Sequence, residues 1–105
     1  QVIVHLGDHS PGLNTPDGVL RLRAASATLD HQPLPLSPSG LAVLRRLAQD
    51  PGRVVSRESL LQVLPGESND PHTVEVAVAR LREAMSPHKL IRTVIKRGYI
   101  LEVSE

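Results

Sequence analysis

The sequence predicts an α+β domain made of a small N-terminal antiparallel sheet, three helices and a C-terminal β-hairpin. Short segments of alternating or β-prone residues predict the sheet, and they lie between residues 19 and 36. Three later segments space their apolar residues three or four apart and each follows a capping residue, which predicts helices. Two further β-rich segments flank a glycine-containing turn near the C-terminus. A chain of 105 residues is long enough for one such domain.

The composition excludes several classes of protein. The chain has no cysteine, which excludes a disulfide framework and a thiolate zinc site. Its single aromatic residue is Tyr99, so Leu, Val, Ile and Ala must form the core. No apolar run approaches the ~20 residues of a membrane span, and we find no signal peptide. We therefore expect a cytoplasmic protein without a membrane partner. Because the chain starts at Gln1 rather than Met, we expect it to belong to a longer protein.

The first 18 residues predict a linker or an extra N-terminal strand, ahead of a structured domain over residues 19–105. Residues 2–4 are apolar enough for a short strand. Residues 7–18 are rich in Gly, Pro, Asp, Asn and Ser, a composition typical of a loop.

The segment that follows predicts the strands of the sheet. Residues 19–23 alternate apolar and basic side chains, as a half-buried strand does. Residues 27–29 form a second candidate strand, and residues 30–32 a turn. Residues 33–36 are a third extended piece, which its two prolines confine to a sheet edge.

Two helices are then predicted in quick succession. Ser37 and Pro38 supply a capping hydroxyl and a proline at the first helical position, and residues 50–52 end this helix. Ser56 caps the second helix, which ends at residues 65–66. The apolar stripes are Leu41, Leu44, Leu47 and Ala48 in the first helix and Leu60, Leu61 and Leu64 in the second.

The third helix is predicted over residues 71–85. Asp70 caps it, and Ser86 precedes a proline that disfavours helical geometry. Its apolar stripe consists of Val74, Val78, Leu81 and Met85. Because a tight connection joins it to the second helix, the two predict a helix-turn-helix arrangement with the third helix in the reading position.

The face opposite this stripe is small, partly apolar and only weakly charged. It consists of His72, Thr73, Val76, Ala79, Arg80 and Glu83. Small side chains let a helix approach a DNA major groove, methyl groups can touch thymine, and Arg80 can pair with guanine. The alternative is an ordinary amphipathic helix with a weakly polar surface.

The predicted hairpin carries adjacent cations at its tip. Residues 91–95 and 99–103 are its strands, and residues 96–98 are its turn. Lys96 and Arg97 are placed to contact DNA phosphates or enter the minor groove; the alternative is a surface hairpin with solvated charges.

Charge is concentrated in the same part of the chain. The net charge is only +1, yet residues 72–99 hold six Lys or Arg against two Glu. A localised basic patch is typical of a protein that binds nucleic acid.

In this order and spacing, the residues resemble the OmpR/PhoB-type winged-helix DNA-binding domain over about residues 19–103. The segments that carry the resemblance are Leu36–Pro38, Leu44, Leu47–Ala48, Pro51–Glu58, Leu60–Leu61, Thr73–Val76, Ala79–Arg82, Thr93–Val94, Gly98–Tyr99 and Leu101. The resemblance implies that the hairpin is the wing, over residues 95–99, and that the third helix faces DNA. It implies that Arg82 is a structural ion-pair partner rather than a reader of bases.

The positions that match DNA-facing residues of the family are His72, Thr73, Val76, Arg80, Lys96 and Arg97, and the small exposed face adds Ala79. Several positions depart from the family pattern. Family members commonly carry Arg at His72, His at Ala77 and Lys at Glu83, Trp at Pro65, and Arg-Gly at residues 95–96. Fewer cations imply weaker binding, because each neutralised phosphate contributes through counterion release.

Two functional interpretations follow. The first is the DNA-binding module of a bacterial transcription regulator, with double-stranded DNA as partner, a dimer on repeated half-sites, and a receiver or enzyme-like domain elsewhere in the chain. The second rests on a resemblance of residues 76–81 and 94–99 to the winged-helix module attached to actinobacterial proteins similar to uroporphyrinogen-III synthase. It implies a protein-interaction module with weak or no DNA binding, and Glu83, Ala77 and exposed Val76 favour it.

An enzyme is not expected. The sequence has no paired-carboxylate, Ser-His-Asp or phosphate-cradling pattern. His5 and His9 are four apart, but the intervening Gly7 opposes the helix that would bring them together. We therefore predict no metal site, no catalytic residue and no cofactor.

Overall fold

A computed structural model of the chain describes residues 12–23, 25–65 and 70–104. In chain order the elements are β1 (Leu13–Thr15), β2 (Gly18–Leu22), β3 (Ala27–Leu29), β4 (Gln32–Pro33), α1 (Pro38–Gln49), α2 (Arg57–Val63), α3 (Pro71–Met85), β5 (Ile91–Val94) and β6 (Gly98–Leu101). The α+β architecture with three helices and a C-terminal hairpin is therefore confirmed.

The N-terminal sheet begins earlier than the sequence predicts. Its four strands are antiparallel in the order β1-β2-β3-β4, and Leu13 pairs with Leu20. The loop predicted over residues 7–18 is therefore wrong at its C-terminal end. Pairing with β2 and a hydrogen bond from the Ser104 amide to the Asn14 carbonyl (2.7 Å) hold β1 in place, so its strand geometry depends on partners distant in sequence. The strand expected at residues 2–4 lies outside the described residues.

The far edge of the sheet is shorter than predicted. Strand β4 has two residues, and the extended piece expected over residues 33–36 leaves the sheet after the Leu34 amide bonds the Ala27 carbonyl (3.0 Å). Pro35 has no amide hydrogen, so the ladder cannot continue there. The turn predicted over residues 30–32 is confirmed for Asp30 and His31, which both have positive φ, whereas Gln32 already belongs to β4.

All three helices match the predicted spans closely because their caps form as expected. The Ser37 hydroxyl accepts a hydrogen bond from the Gly40 amide, and the Ser56 hydroxyl accepts one from the Ser59 amide, each 3.1 Å long. The helices bury their apolar stripes against one another and against the hairpin. Among the residues that the structure describes, the fully buried large side chains are Leu20, Val43, Leu44, Leu47, Leu60, Val74, Val78, Leu81, Met85, Leu90 and Leu101.

The C-terminal hairpin packs against the segment between α1 and α2 and is hydrogen-bonded to it. Val55 and Tyr99 exchange two backbone hydrogen bonds, of 2.8 and 3.0 Å, so Val55 extends the hairpin by one bridge. A Cβ on Gly98 would lie 2.0 Å from the Val55 carbonyl oxygen, so only glycine fits. Gly98 is the first residue of β6 rather than the last residue of the turn. The turn therefore covers residues 95–97, one residue earlier than the predicted 96–98.

Candidate nucleic-acid interface

Helix α3 has one face in the core and one face in solvent. Its N-cap Asp70 accepts a hydrogen bond from the His72 amide through Oδ1 (3.0 Å), which orders the first turn. The core face consists of Val74, Ala77, Val78, Leu81 and Met85. Because this stripe is continuous along the helix, the orientation of the opposite face is fixed by packing rather than by its own contacts.

The structure exposes the helix residues predicted to face DNA. His72, Ala79 and Arg80 are exposed, Val76 retains 36% of its accessible surface, and Thr73 is half-buried. The His72 Nδ1 atom lies 3.4 Å from a Glu75 carboxylate oxygen on the same exposed surface.

Ala77 does not belong to this surface. It is 4% exposed and lies in the core cluster. The interpretation that Ala77 dilutes the basic face is therefore wrong, because position 77 falls on the core side of the helix. Exposed Glu83 does lie near Arg80, three residues along the helix.

Arg82 connects α3 to the hairpin. Its Nε donates to the Ile91 carbonyl (3.1 Å), one terminal nitrogen donates to the Thr93 hydroxyl (2.6 Å), and its guanidinium lies 5.7 Å from the Tyr99 ring centroid. A structural role is thus observed, but the predicted ion-pair partner is wrong: the acceptors are a backbone carbonyl and a hydroxyl. Hydrogen bonding from a planar guanidinium fixes both position and direction, so the helix and β5 are held as one unit.

The hairpin tip is a tight turn with unusual residues. The Arg97 amide donates to the Val94 carbonyl (2.9 Å), which closes a β-turn with Ile95 and Lys96 at its central positions. Lys96 has a φ of 65°, whereas Ile95 is not among the residues with positive φ, and this combination defines a type II turn. Ile95, Lys96 and Arg97 are all exposed.

The basic patch is smaller than the net charge of residues 72–99 suggests. Arg92 forms an ion pair with Glu102 across the hairpin (3.2 Å), and Arg82 is held by its hydrogen bonds to β5. The exposed cations of this region with neither an ion pair nor a side-chain hydrogen bond to another described residue are Arg80, Lys89, Lys96 and Arg97. The described residues contain no cluster of side chains suited to a metal ion.

No helix within residues 12–23, 25–65 and 70–104 has the length and apolar character needed to span a membrane.

A comparison with protein families matches residues 31–101 to the family described as "Transcriptional regulatory protein, C terminal". This chain belongs to that family. The match extends from the turn before β4 to the end of β6, so it includes all three helices and the whole hairpin of this OmpR/PhoB-type domain.

Two curated relatives show how far the similarity of the domain extends. This chain is 31% identical over 96 residues to the "Virulence transcriptional regulatory protein PhoP" of Salmonella typhimurium, and the match covers 87% of this chain and 43% of that protein. It is 42% identical over 86 residues to the "Response regulator protein PmrA" of Pseudomonas aeruginosa, covering 78% of this chain and 38% of that protein. The chain thus spans less than half the length of these relatives.

A solved structure confirms the winged-helix fold of the OmpR/PhoB-type domain. The DNA-binding domain of Klebsiella pneumoniae RstA, described in complex with the RstA box, superposes with a TM-score of 0.70 at 25% identity. The superposition covers 87% of this chain and 96% of that one.

Two features of the OmpR/PhoB-type site were not predicted from the sequence. The role of Thr93 as an acceptor for Arg82 depends on how the hairpin docks, which no local pattern encodes. The exposure of Ile95 is the second feature. The sequence held a local signal for it, because Ile95 and Lys96 occupy turn positions that prefer Pro and Gly.

Proposed function

We propose that this chain is the DNA-binding module of a bacterial transcription regulator. Helix α3 enters the major groove, and the wing contacts the adjacent backbone or minor groove. The observation that carries the proposal is the Arg82 connection. It joins the exposed face of α3 to the strand that leads into the cationic turn, so both surfaces move as one body.

The chemistry of the exposed helix face suits base-edge readout. Arg80 is exposed and forms no ion pair with another described residue, so its guanidinium is available to guanine O6 and N7. Val76 and Ala79 present methyl groups suited to thymine, and their small size lets the backbone approach the groove. His72 and Thr73, in the first turn, supply donors for a phosphate or a base edge.

The wing supplies the electrostatic contribution to binding. Lys96 occupies a left-handed backbone conformation that is unfavourable for a residue with a Cβ. Glycine is the usual residue at this position of the turn. Strained residues cluster at functional sites, where a side-chain interaction outweighs the backbone cost. We infer that Lys96 and Arg97 neutralise phosphates.

The relatives support this function. The RstA DNA-binding domain is described in complex with the RstA box, and the curated relatives are described as a transcriptional regulatory protein and a response regulator. We propose that this chain is part of a longer protein that acts in the cytoplasm, that a receiver or enzyme-like domain in the same protein supplies its input, and that the domain itself has no catalytic activity. Few cations face the groove, so we expect two copies on repeated half-sites.

Titration of the 105-residue chain with DNA tests the proposal. A duplex recovered by selection from a random-sequence library serves as probe, and binding is measured by anisotropy at several salt concentrations. Arg80→Ala should weaken binding by about 1–3 kcal/mol and relax specificity at one base pair, whereas Lys96→Ala should weaken all sequences and flatten the salt dependence by about one unit.

Arg21→Ala is the matched control. It removes the same charge from an exposed position on β2, in the N-terminal sheet. The control should bind like the unchanged chain. Equal affinity of Arg80→Ala, Lys96→Ala and Arg21→Ala would contradict the proposal.

A protein-interaction module is the second candidate, and one observation favours it. Val76 is an exposed apolar residue on the same helix as acidic Glu83, a combination that suits a protein partner. Under this interpretation selection would recover no duplex. Co-purification with a uroporphyrinogen-III synthase-like domain, reduced by Val76→Asp, would then identify the alternative; that association stays a prediction.

A further inference from the structure

We infer that Ile95 is an apolar wedge that enters the DNA minor groove and reads its floor, an inference that rests on the proposed DNA-binding function. Its side chain stands at the apex of the wing, between the half-buried Val94 and the cations Lys96 and Arg97.

Ile95 is far more exposed than the other large apolar residues that the structure describes. It retains 80% of its accessible surface, whereas Val54, the next most exposed large hydrophobic residue within the described part of the chain, retains 40%. Removing the apolar surface of an isoleucine from water is favourable, and the folded domain leaves most of that stabilisation unrealised at Ile95. An apolar side chain so placed becomes useful when another molecule covers it.

The turn itself does not explain why isoleucine is present. A type II turn favours Pro at its first central position and Gly or Asn at its second, and here these are Ile95 and Lys96. Both residues depart from local turn chemistry at the same exposed point. Such conflicts between local preference and sequence concentrate at functional sites.

The charges next to Ile95 indicate what covers it. Burying it in an apolar pocket of a protein would bring Lys96 and Arg97 out of water beside it, which is costly without paired acids. The minor groove avoids this cost, since its phosphates meet the cations while its floor receives the aliphatic side chain. Proteins that bind this groove commonly insert an isoleucine, leucine or phenylalanine between base steps.

The base of the wing is rigid enough to drive such an insertion. The Gly98 backbone lies against Val55, the Val55–Tyr99 bridge adds two hydrogen bonds, and Arg82 fixes β5 to α3. Ile95 can separate stacked bases only if the strands that carry it keep their position on α3 and Val55 while the domain binds DNA.

A wedge also predicts which DNA is favoured. G·C pairs place an amino group on the minor-groove floor, where it would occupy the space of the Ile95 methyl groups, whereas A·T pairs do not. Flexible pyrimidine–purine steps such as TA are the easiest to unstack. The wing should therefore prefer a TA step without the protein making any hydrogen bond to it.

The test uses the 105-residue chain and the selected duplex in three forms that differ in the step under the wing. That step is located by hydroxyl-radical footprinting and carries A·T, G·C or inosine·C pairs; inosine·C presents a major groove like G·C and a minor groove like A·T. We expect G·C to weaken binding on the order of tenfold and inosine·C to restore it. Bending is followed by energy transfer between end labels.

Ile95→Ala should bind the three duplexes within about twofold of one another and should bend the A·T duplex less. Val63→Ala truncates a different exposed apolar side chain, on α2, and should keep the discrimination of the unchanged chain. If Ile95→Ala still discriminates, or if the unchanged chain treats inosine·C like G·C, the wedge is refuted while DNA binding stands. Failure of the unchanged chain to bind any selected duplex would instead refute the proposed function, and the wedge with it.

Discussion

Replacing Lys96 with glycine should make the domain more stable and its DNA binding weaker. The two effects have separate origins. Lys96 holds a φ of 65° in the wing turn, a backbone conformation that is unfavourable for a side chain with a Cβ. The same side chain is exposed and forms no ion pair with another described residue, so its charge is available to a phosphate.

The size of each effect follows from the structure. Left-handed geometry destabilises an L-residue by about 1–2 kcal/mol, and glycine removes this cost. Glycine also loses more backbone freedom on folding, which offsets roughly 0.5–1 kcal/mol of that stabilisation. The net gain in the free energy of unfolding lies within ~0–1.5 kcal/mol, and its midpoint of about 0.75 kcal/mol corresponds to ~3–6 °C in Tm. Losing one phosphate contact makes the plot of log affinity against log salt concentration less steep by about 0.9. At 0.1 M salt this change corresponds to a roughly eightfold loss of affinity.

Urea denaturation measures the first effect, and anisotropy titration over a salt series measures the second. Lys96→Arg is the control, because it keeps both the backbone cost and the charge; its stability and its salt slope should match those of the unchanged chain. A glycine variant that is less stable than the unchanged chain would refute the argument from backbone strain. A glycine variant with an unchanged salt slope would show that Lys96 does not contact phosphate.

Two further predictions concern the support of the wing. Arg82→Ala removes two hydrogen bonds and a cation near the Tyr99 ring, so it should destabilise the domain by about 1–2 kcal/mol and also weaken DNA binding; Arg80→Ala, two residues away, should leave the stability within ~0.5 kcal/mol. Gly98→Ala places a Cβ 2.0 Å from the Val55 carbonyl oxygen and forces the Val55–Tyr99 bridge apart, which should cost about 2–4 kcal/mol in urea denaturation.

Different observations would contradict these two predictions. A fully stable Arg82→Ala variant would mean that core packing alone holds the wing on α3. An unchanged Gly98→Ala midpoint would mean that the segment carrying Val55 moves away from the hairpin at little cost.

The helices were predictable because their information is local. Ser37, Ser56 and Asp70 each cap the first turn of a helix through their own side chains, as the sequence predicts. Apolar residues at helical spacing then fix which face is buried, so the exposure of Val76 and Arg80 also followed from the pattern.

The parts that could not be predicted depend on residues far apart in sequence. Strand β1 exists because β2 and Ser104 supply its hydrogen-bond partners, although its composition is typical of a loop. Arg82 was correctly judged structural, but its acceptors, Ile91 and Thr93, are set by the docking of the hairpin.

The sequence by itself determined the three helices and their order, their caps, their apolar stripes and the cations of the wing, since each depends on neighbours within a few residues. Only the tertiary structure decided that Gly98 must approach Val55 and that the wing is fixed to α3. The physical reason is that hydrogen bonds and close contacts between distant segments form only after the core has brought those segments together.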